Sequence, residues 1–150
     1  MRIYLDNCCY NRLFDDKTQK RVQIESDALK AILINKKDII VGSHFLKFEI
    51  SKINDIGKRL NVMALYTQAI DETVSIDSKI IDMAKEIVDK SSIHELDALH
   101  LASAITAGVE VFLTVDDKLI KACDKLKLDI KVINPVNIKE SEQSGRSRRE

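Results

Sequence analysis

The sequence predicts an α/β domain built on a parallel sheet with helices on both faces. Short apolar, β-branched runs alternate with longer stretches of helical periodicity, the pattern of strand–helix–strand units. The runs are continuously apolar rather than alternating, as strands buried on both faces require. Turn formers are scarce (Gly 4, Pro 1 in 150 residues), which counts against an all-β fold rich in tight turns.

Four runs have strand length: Ile3 to Leu5, Ile39 to Val41, Val111 to Thr114 and Ile130 to Ile133. A fifth, Val74 to Ile76, is weaker and suits a sheet edge. Tyr10 to Asp16 reads as a loop. Val22, Leu29, Ile32 and Leu33 then set a helical stripe over Gln19 to Asn35. Ser43 has the side chain of an N-cap for a helix carrying Phe45, Leu46 and Ile50. Ile56 to Ile70 and Ser78 to Val88 are two further amphipathic stretches. Leu96 to Ala107 is apolar almost all round and stops at Gly108, a residue suited to a helix C-terminus. Asp117 to Leu126 forms a short final helix. Phe45, Leu46, Leu60, Met63 and Leu65 exceed one buried stripe. Either the two helices holding them pack on each other, or some of these side chains stay exposed for a partner.

One domain, residues 1–139, accounts for the periodic part of the chain. Residues 140–150 contain no large apolar side chain and are expected to be a disordered tail. Arg146, Arg148 and Arg149 are solvated there or touch the phosphates of a nucleic acid. Lys plus Arg (24) balance Asp plus Glu (24), so the mean charge steers no partner and counts against a wholly basic DNA-coating face. Three cysteines, two of them adjacent, fit a reducing compartment, with Cys8 and Cys9 as small buried side chains. No run is long enough for a signal peptide or a membrane span, and a cytoplasmic location is expected.

In a parallel sheet, ligands bind beyond the carboxyl ends of the strands. Asp6 follows the first strand directly, and Asp116 and Asp117 follow the fourth apolar run, so both sites open onto one sheet edge. Asp97 interrupts an otherwise apolar helix, and Glu49 lies between Phe48 and Ile50. A carboxylate on such a helix needs a partner, because an unpaired buried charge costs several kcal/mol. Clustered carboxylates share a proton or bind a divalent cation. Oxygen ligands without an associated Cys or His set favour Mg²⁺ or Mn²⁺. Acids at strand ends are also ordinary helix caps, so position alone leaves the chemistry open.

Two other metal or phosphate patterns fail on spacing. His94 and His100 are six residues apart, about 120° around a helix, and cannot share a zinc ion as histidines four apart do. His100 is then either a hydrogen-bonding neighbour of the site or a satisfied core histidine. Aspartyl-phosphate hydrolases want a second Asp two residues after the first, and position 8 is Cys.

The order of these segments resembles the PIN domains. The resemblance rests on an apolar strand ending in Asp6, on Glu49 in an apolar helix, on Asp97-Ala98-Leu99-His100-Leu101-Ala102-Ser103-Ala104, and on Phe112-Leu113-Thr114-Val115-Asp116-Asp117. It runs to about Ile138 through Val132-Ile133-Asn134-Pro135. The segment Asp6 to Asp16 resembles a prokaryotic subgroup with Asn-Arg-Pro-Phe in this loop; here Leu13 replaces the Pro, and Asn7 stands where Thr or Ser is commoner. The resemblance implies a three-layer α/β/α fold with strand order 3-2-1-4-5. It implies a Mg²⁺- or Mn²⁺-dependent endoribonuclease with Asp6, Glu49, Asp97 and Asp116 on its acidic positions. Asp6, Asp97 and Asp116 would ligate the metal, with Glu49 as a further ligand or the orienter of water. Thr114 would orient the last acid, Asn7 would hydrogen-bond a carboxylate or a metal-bound water, and Asp117 would either assist or simply begin the final helix. Small proteins of this kind are often homodimeric toxins blocked by a small antitoxin. A non-catalytic RNA- or protein-binding module and an aspartate phosphotransfer domain are the alternatives.

Overall fold

A computed structural model of the chain describes residues 1–139; the tail expected over 140–150 lies outside the described residues. The elements run β1 (Arg2–Leu5), α1 (Asn7–Arg12), α2 (Lys20–Asn35), β2 (Ile39–Ser43), α3 (His44–Ser51), α4 (Ile56–Ala69) and β3 (Glu72–Val74). They continue with α5 (Ser78–Lys90), α6 (Glu95–Thr106), β4 (Val111–Leu113), α7 (Asp117–Leu126), β5 (Lys131–Ile133) and a 3₁₀ turn at Pro135–Asn137.

All five strands are parallel, in the order β3-β2-β1-β4-β5, with helices on both faces, as a three-layer α/β/α fold requires. β1 is central. Tyr4 pairs in register with Val41 on one side and Phe112 on the other. Ile3, Tyr4, Leu5, Val41, Phe112 and Leu113 are buried, each fully covered apolar side chain contributing about 1.5–3 kcal/mol. The winding of the chain reverses between β1 and β4. Asp6 and Asp116 leave the sheet on either side of that point.

Local chemistry sets the helix ends. The Ser43 hydroxyl accepts the Leu46 N–H at 3.2 Å, and Asp55 and Asp77 cap α4 and α5 in the same way at 2.9 and 3.0 Å. Each such cap is worth about 1 kcal/mol. After α6, Gly108 turns left-handed (φ 70°), its N–H reaching Ile105 and that of Val109 reaching Ala104. These are the two bonds of a Schellman ending.

Two elements differ from expectation. The segment after β1 is not wholly loop, because Asp6 stays extended and its carboxylate accepts the Asn7 N–H, starting the six-residue α1. Its apolar residues, Cys8-Cys9-Tyr10, are consecutive and show no helical stripe. The edge strand begins two residues earlier than the Val74 to Ile76 run. Asp71 pins it there: its N–H donates to the Ile40 carbonyl and its carboxylate accepts the Ile40 N–H, both at 2.9 Å. Ile76 is left exposed. On α3 and α4, Leu46 is buried, Phe45, Met63 and Leu65 are half-buried, and Leu60 is exposed; Phe48 and Ile56 join it at the surface.

Gly42 of β2 lies where a side chain has no room. A Cβ there would overlap the Tyr66 hydroxyl and come within 2.7 Å of Ile70 Cδ1. Tyr66 is buried and donates to the Ser43 carbonyl at 3.2 Å, so it cannot swing aside freely. Gly42→Ala is expected to destabilise by about 1–3 kcal/mol, the usual cost of overpacking. Differential scanning calorimetry should show a fall of roughly 2–4 °C per kcal/mol.

Candidate active site

At the carboxyl edge of the sheet, a cavity of about 440 Å³ is lined by Asp6, Glu49, Asp97 and Asp116, with Asn7, Cys8, Asn11, Arg12, Asp15 and Lys58 among its walls. Residues from β1, α3, α6 and the β4–α7 junction thus meet in one place.

Asp6 is the most buried of the four acids, with 5% of its surface exposed. Its Oδ2 accepts the Thr114 hydroxyl at 2.9 Å and the Cys8 thiol at 3.4 Å, and its Oδ1 accepts the Asn7 N–H at 2.8 Å. Burial nevertheless raises its pKa above the ordinary carboxylate value, against the lowering effects of His100 and Thr114. Asp97 occupies the first turn of α6. Burial, then the neighbouring Asp6 charge, push its carboxyl up to about 6, with Glu49 and Asp116 adding and His100 opposing. Asp116 caps α7, one carboxylate oxygen accepting the Lys118 and Leu119 N–H groups at 3.0 and 3.2 Å.

Ligand atoms of Asp6, Glu49 and His100 lie within 4.8 Å of one another. The donors are mostly hard carboxylate oxygens; burial is the first cause of the raised Asp97 and Asp6 values, and neighbouring carboxylates add to it. A divalent cation such as Mg²⁺ or Mn²⁺ fits this set.

Several side chains act differently from expectation. The Thr114 hydroxyl donates to the first acid, Asp6, while accepting the Asp116 N–H at 3.1 Å. It therefore orients the carboxylate of Asp6 and only the backbone of Asp116. The side-chain oxygen of Asn7 accepts from Asn11 at 2.9 Å. Asp117 is exposed and held by Arg21 in a two-pronged pair at 2.9 and 3.0 Å, outside the acidic cavity. That pairing holds its pKa low. His94 is exposed whereas His100 is fully buried, so the two share nothing.

Periodicity also passed over several residues of the cavity. Arg12 and Lys58 both reach Asp15, at 3.2 and 2.8 Å, and place two cations on its wall. Cys8 lies beside Thr114 at 3.2 Å, whereas Cys9 is buried in the core. His100 bonds Tyr4 at 2.7 Å and Glu49 at 3.2 Å, so it belongs to the core and to the site at once. Of these, only His100 carried a sequence signal, three residues after Asp97 on the same helical face.

The model of the PIN domain family matches residues 3–125 of the chain. No curated protein sequence matches it. Among solved structures, VapBC-1 from nontypeable Haemophilus influenzae is similar, at 15% identity and TM-score 0.61, over 90% of this chain and 98% of that one. FitAB bound to an IR36 DNA fragment is similar at 16% identity and TM-score 0.56, over 89% and 95%. VapC20 of Mycobacterium tuberculosis, a sarcin–ricin loop cleaving toxin, is similar at 14% and 0.55, over 73% and 86%. At these identities the likeness to the three structures concerns the fold.

The raised Asp97 value has a sign that can be measured. The folded state holds this proton more tightly than the unfolded chain, whose carboxyl titrates near the ordinary value. The associated stability is therefore complete below about pH 4 and is lost as pH rises through about 6. A cation taken up by Asp97 would have to displace the proton, so affinity for Mn²⁺ is expected to rise through the same interval. The melting-temperature increase given by Mn²⁺ is expected to be small at pH 5 and large at pH 7.5. Asp97→Asn should abolish that increase while leaving the metal-free melting temperature at pH 7.5 equal or higher.

Proposed function

Because the chain belongs to the PIN domain family, we propose that it is a Mg²⁺- or Mn²⁺-dependent endoribonuclease and the toxin of a toxin–antitoxin pair. The observation that carries this reading is the convergence of Asp6, Glu49, Asp97 and Asp116 on one cavity whose wall also holds Arg12 and Lys58.

Asp6, Asp97 and Asp116 are the residues that would hold the cation, with Glu49 as a further ligand or the orienter of the attacking water. The bound ion supplies Lewis-acid charge at the scissile phosphate and lowers the pKa of the attacking water. Thr114 and the Asn7 N–H keep the Asp6 carboxylate in one orientation, so no reorganisation is needed when substrate arrives. Arg12 and Lys58 would grip RNA phosphates, exchanging their shared partner Asp15 for phosphate oxygens. The Arg21 pair holds Asp117 outside the cavity, so it would not be among the residues that hold the cation.

The toxin assignment is supported by the structural neighbours, which include the VapBC-1 and FitAB proteins and a toxin that cleaves the sarcin–ricin loop. A small antitoxin is the proposed partner. Phe48, Ile56 and Leu60, exposed by 55%, 63% and 63% on α3 and α4, are apolar surface it can cover. A homodimer acting in the cytoplasm completes the proposal. No described helix is long and apolar enough to cross a membrane.

Removing a ligand should do more than the roughly 10–100-fold loss typical of its supporting residues. Asp6→Asn is therefore expected to reduce cleavage of a fluorogenic RNA by about 100-fold or more, with an unchanged circular dichroism spectrum. Induced expression of the wild type should arrest growth, whereas that of Asp6→Asn should not. Normal growth alongside soluble, RNA-cleaving wild type would remove the toxin role and leave the nuclease.

A further inference from the structure

Beneath the acids lies a chain of hydrogen bonds that the metal chemistry does not by itself account for. The Ser43 hydroxyl is 2.6 Å from the Tyr4 hydroxyl, Tyr4 is 2.7 Å from His100 Nδ1, and His100 Nε2 is 3.2 Å from Glu49 Oε2. Ser43, Tyr4 and His100 are all fully buried. Each lies on an element that supplies an acid. Tyr4 precedes Asp6 by two residues, on one face of β1. His100 follows Asp97 by three, on one face of α6. Ser43 caps α3, the helix of Glu49.

The direction of the chain follows from its donors. Ser43 already accepts the Leu46 N–H at 3.2 Å, which leaves its own hydrogen to donate to Tyr4. In the neutral ring the Tyr4 O–H then donates to His100 Nδ1, and the ring proton sits on Nε2, pointing at Glu49. For that neutral ring, the reverse sense turns an Nε2 lone pair toward a carboxylate oxygen at 3.2 Å and leaves the Ser43 hydrogen no acceptor among the described residues. The Tyr4 ring is fixed in turn, stacked on Phe112 with 5.2 Å between centroids and 10° between planes.

We propose that His100 is a positioning residue: locked by Tyr4 and Ser43 as the Nε2–H tautomer, it donates to Glu49 and sets that carboxylate for the cation. The proposal rests on the reading that these carboxylates bind a divalent ion. Outer residues that orient a ligand in this way are typically worth about 10–100-fold in metal affinity or activity. His100 acts through Glu49 and not as a ligand, since a ligating Nε2 could not also carry the proton that the relay places on it.

The test is Mn²⁺ binding to the full chain by isothermal titration calorimetry at pH 7.5, with single-turnover RNA cleavage alongside. His100→Gln keeps an N–H near the Nε2 position and is expected to retain affinity within a few-fold. His100→Asn keeps an acceptor for Tyr4 but cannot reach Glu49, and should weaken Mn²⁺ by about 10–100-fold at a temperature where its circular dichroism spectrum is that of the folded wild type. Tyr4→Phe frees the tautomer and should give a smaller loss in the same direction. In a Glu49→Gln background, His100→Asn should cost nothing further. Equal losses in His100→Gln and His100→Asn, or an undiminished loss in the Glu49→Gln background, would overturn the proposal and make His100 a ligand or a packing residue. Wild-type affinity in His100→Asn would overturn it as well. Asp6→Asn is the control: if it binds Mn²⁺ like the wild type, the cation site itself is misplaced, whatever the His100 variants do.

Discussion

Asp6 brings a carboxylate to the end of the central strand with almost no contact to solvent, and its neighbourhood is arranged around that charge. An isolated carboxylate in such a place would cost several kcal/mol, so donors must meet it. The Asn7 N–H does so because α1 starts there. Thr114 does so because β4 pairs alongside β1 and carries the hydroxyl to the same height. Charge-assisted bonds of this kind are among the strong ones, yet burial still raises the pKa. Glu49, Asp97 and Asp116 face the same cavity. Such a site opposes the stability of the metal-free fold, as functional sites often do.

The sheet decides which acids can meet. With order 3-2-1-4-5, the chain winds outward in one direction through β2 and β3, then returns past β1 to β4 and β5. The loops after β1 and β4 therefore diverge at the carboxyl edge, and a crevice opens between them. Asp6 and Asp116 border it from the two strands. Helix α6 precedes β4 and carries Asp97 in its first turn, while α3 follows β2 and supplies Glu49. No loop rearrangement is needed to assemble the set.

This logic explains what could be read from the residues. The strands were legible because buried parallel strands are unbroken apolar runs, and Asp6, Asp97 and Asp116 because each interrupts or ends an apolar segment. Glu49 was harder, lying in a helix whose outer side keeps Phe48 exposed and so lacks a clean stripe. The α1 helix was hidden because its first hydrogen bonds depend on Asp6 capping rather than on periodicity. The relay was beyond reach for another reason. Tyr4 and His100 are 96 residues apart, and a core Tyr and a helical His carry no separate sign of contact. Asp117 stayed open between assisting the site and simply beginning the final helix, because adjacency to Asp116 says nothing about direction. At the start of a helix, successive side chains diverge by about 100°, and Arg21 lies on the other side.

The zero net charge of the chain conceals a local separation that matters at the cavity. Glu25 is a buried acid in an ion pair with Arg12 at 3.2 Å, and it accepts hydrogen bonds from Arg21 at 3.2 Å and Asn134 at 2.5 Å. It thereby fixes α2 against α1 and against the turn after β5. Arg12 is shared between Glu25 and Asp15, and Asp15 is shared with Lys58 on α4. A guanidinium held from behind by a buried carboxylate keeps its position when its outer partner is exchanged, because breaking a buried pair is far costlier than breaking an exposed one. Asp15, more exposed than Glu25, is the partner that can be given up to a phosphate. The cavity thus combines an acidic floor with a cationic wall braced from the core. On the proposed reading, a polyanion approaches four carboxylates through such an arrangement only when a cation occupies them. Loading with metal would then be a condition of substrate binding as well as of hydrolysis.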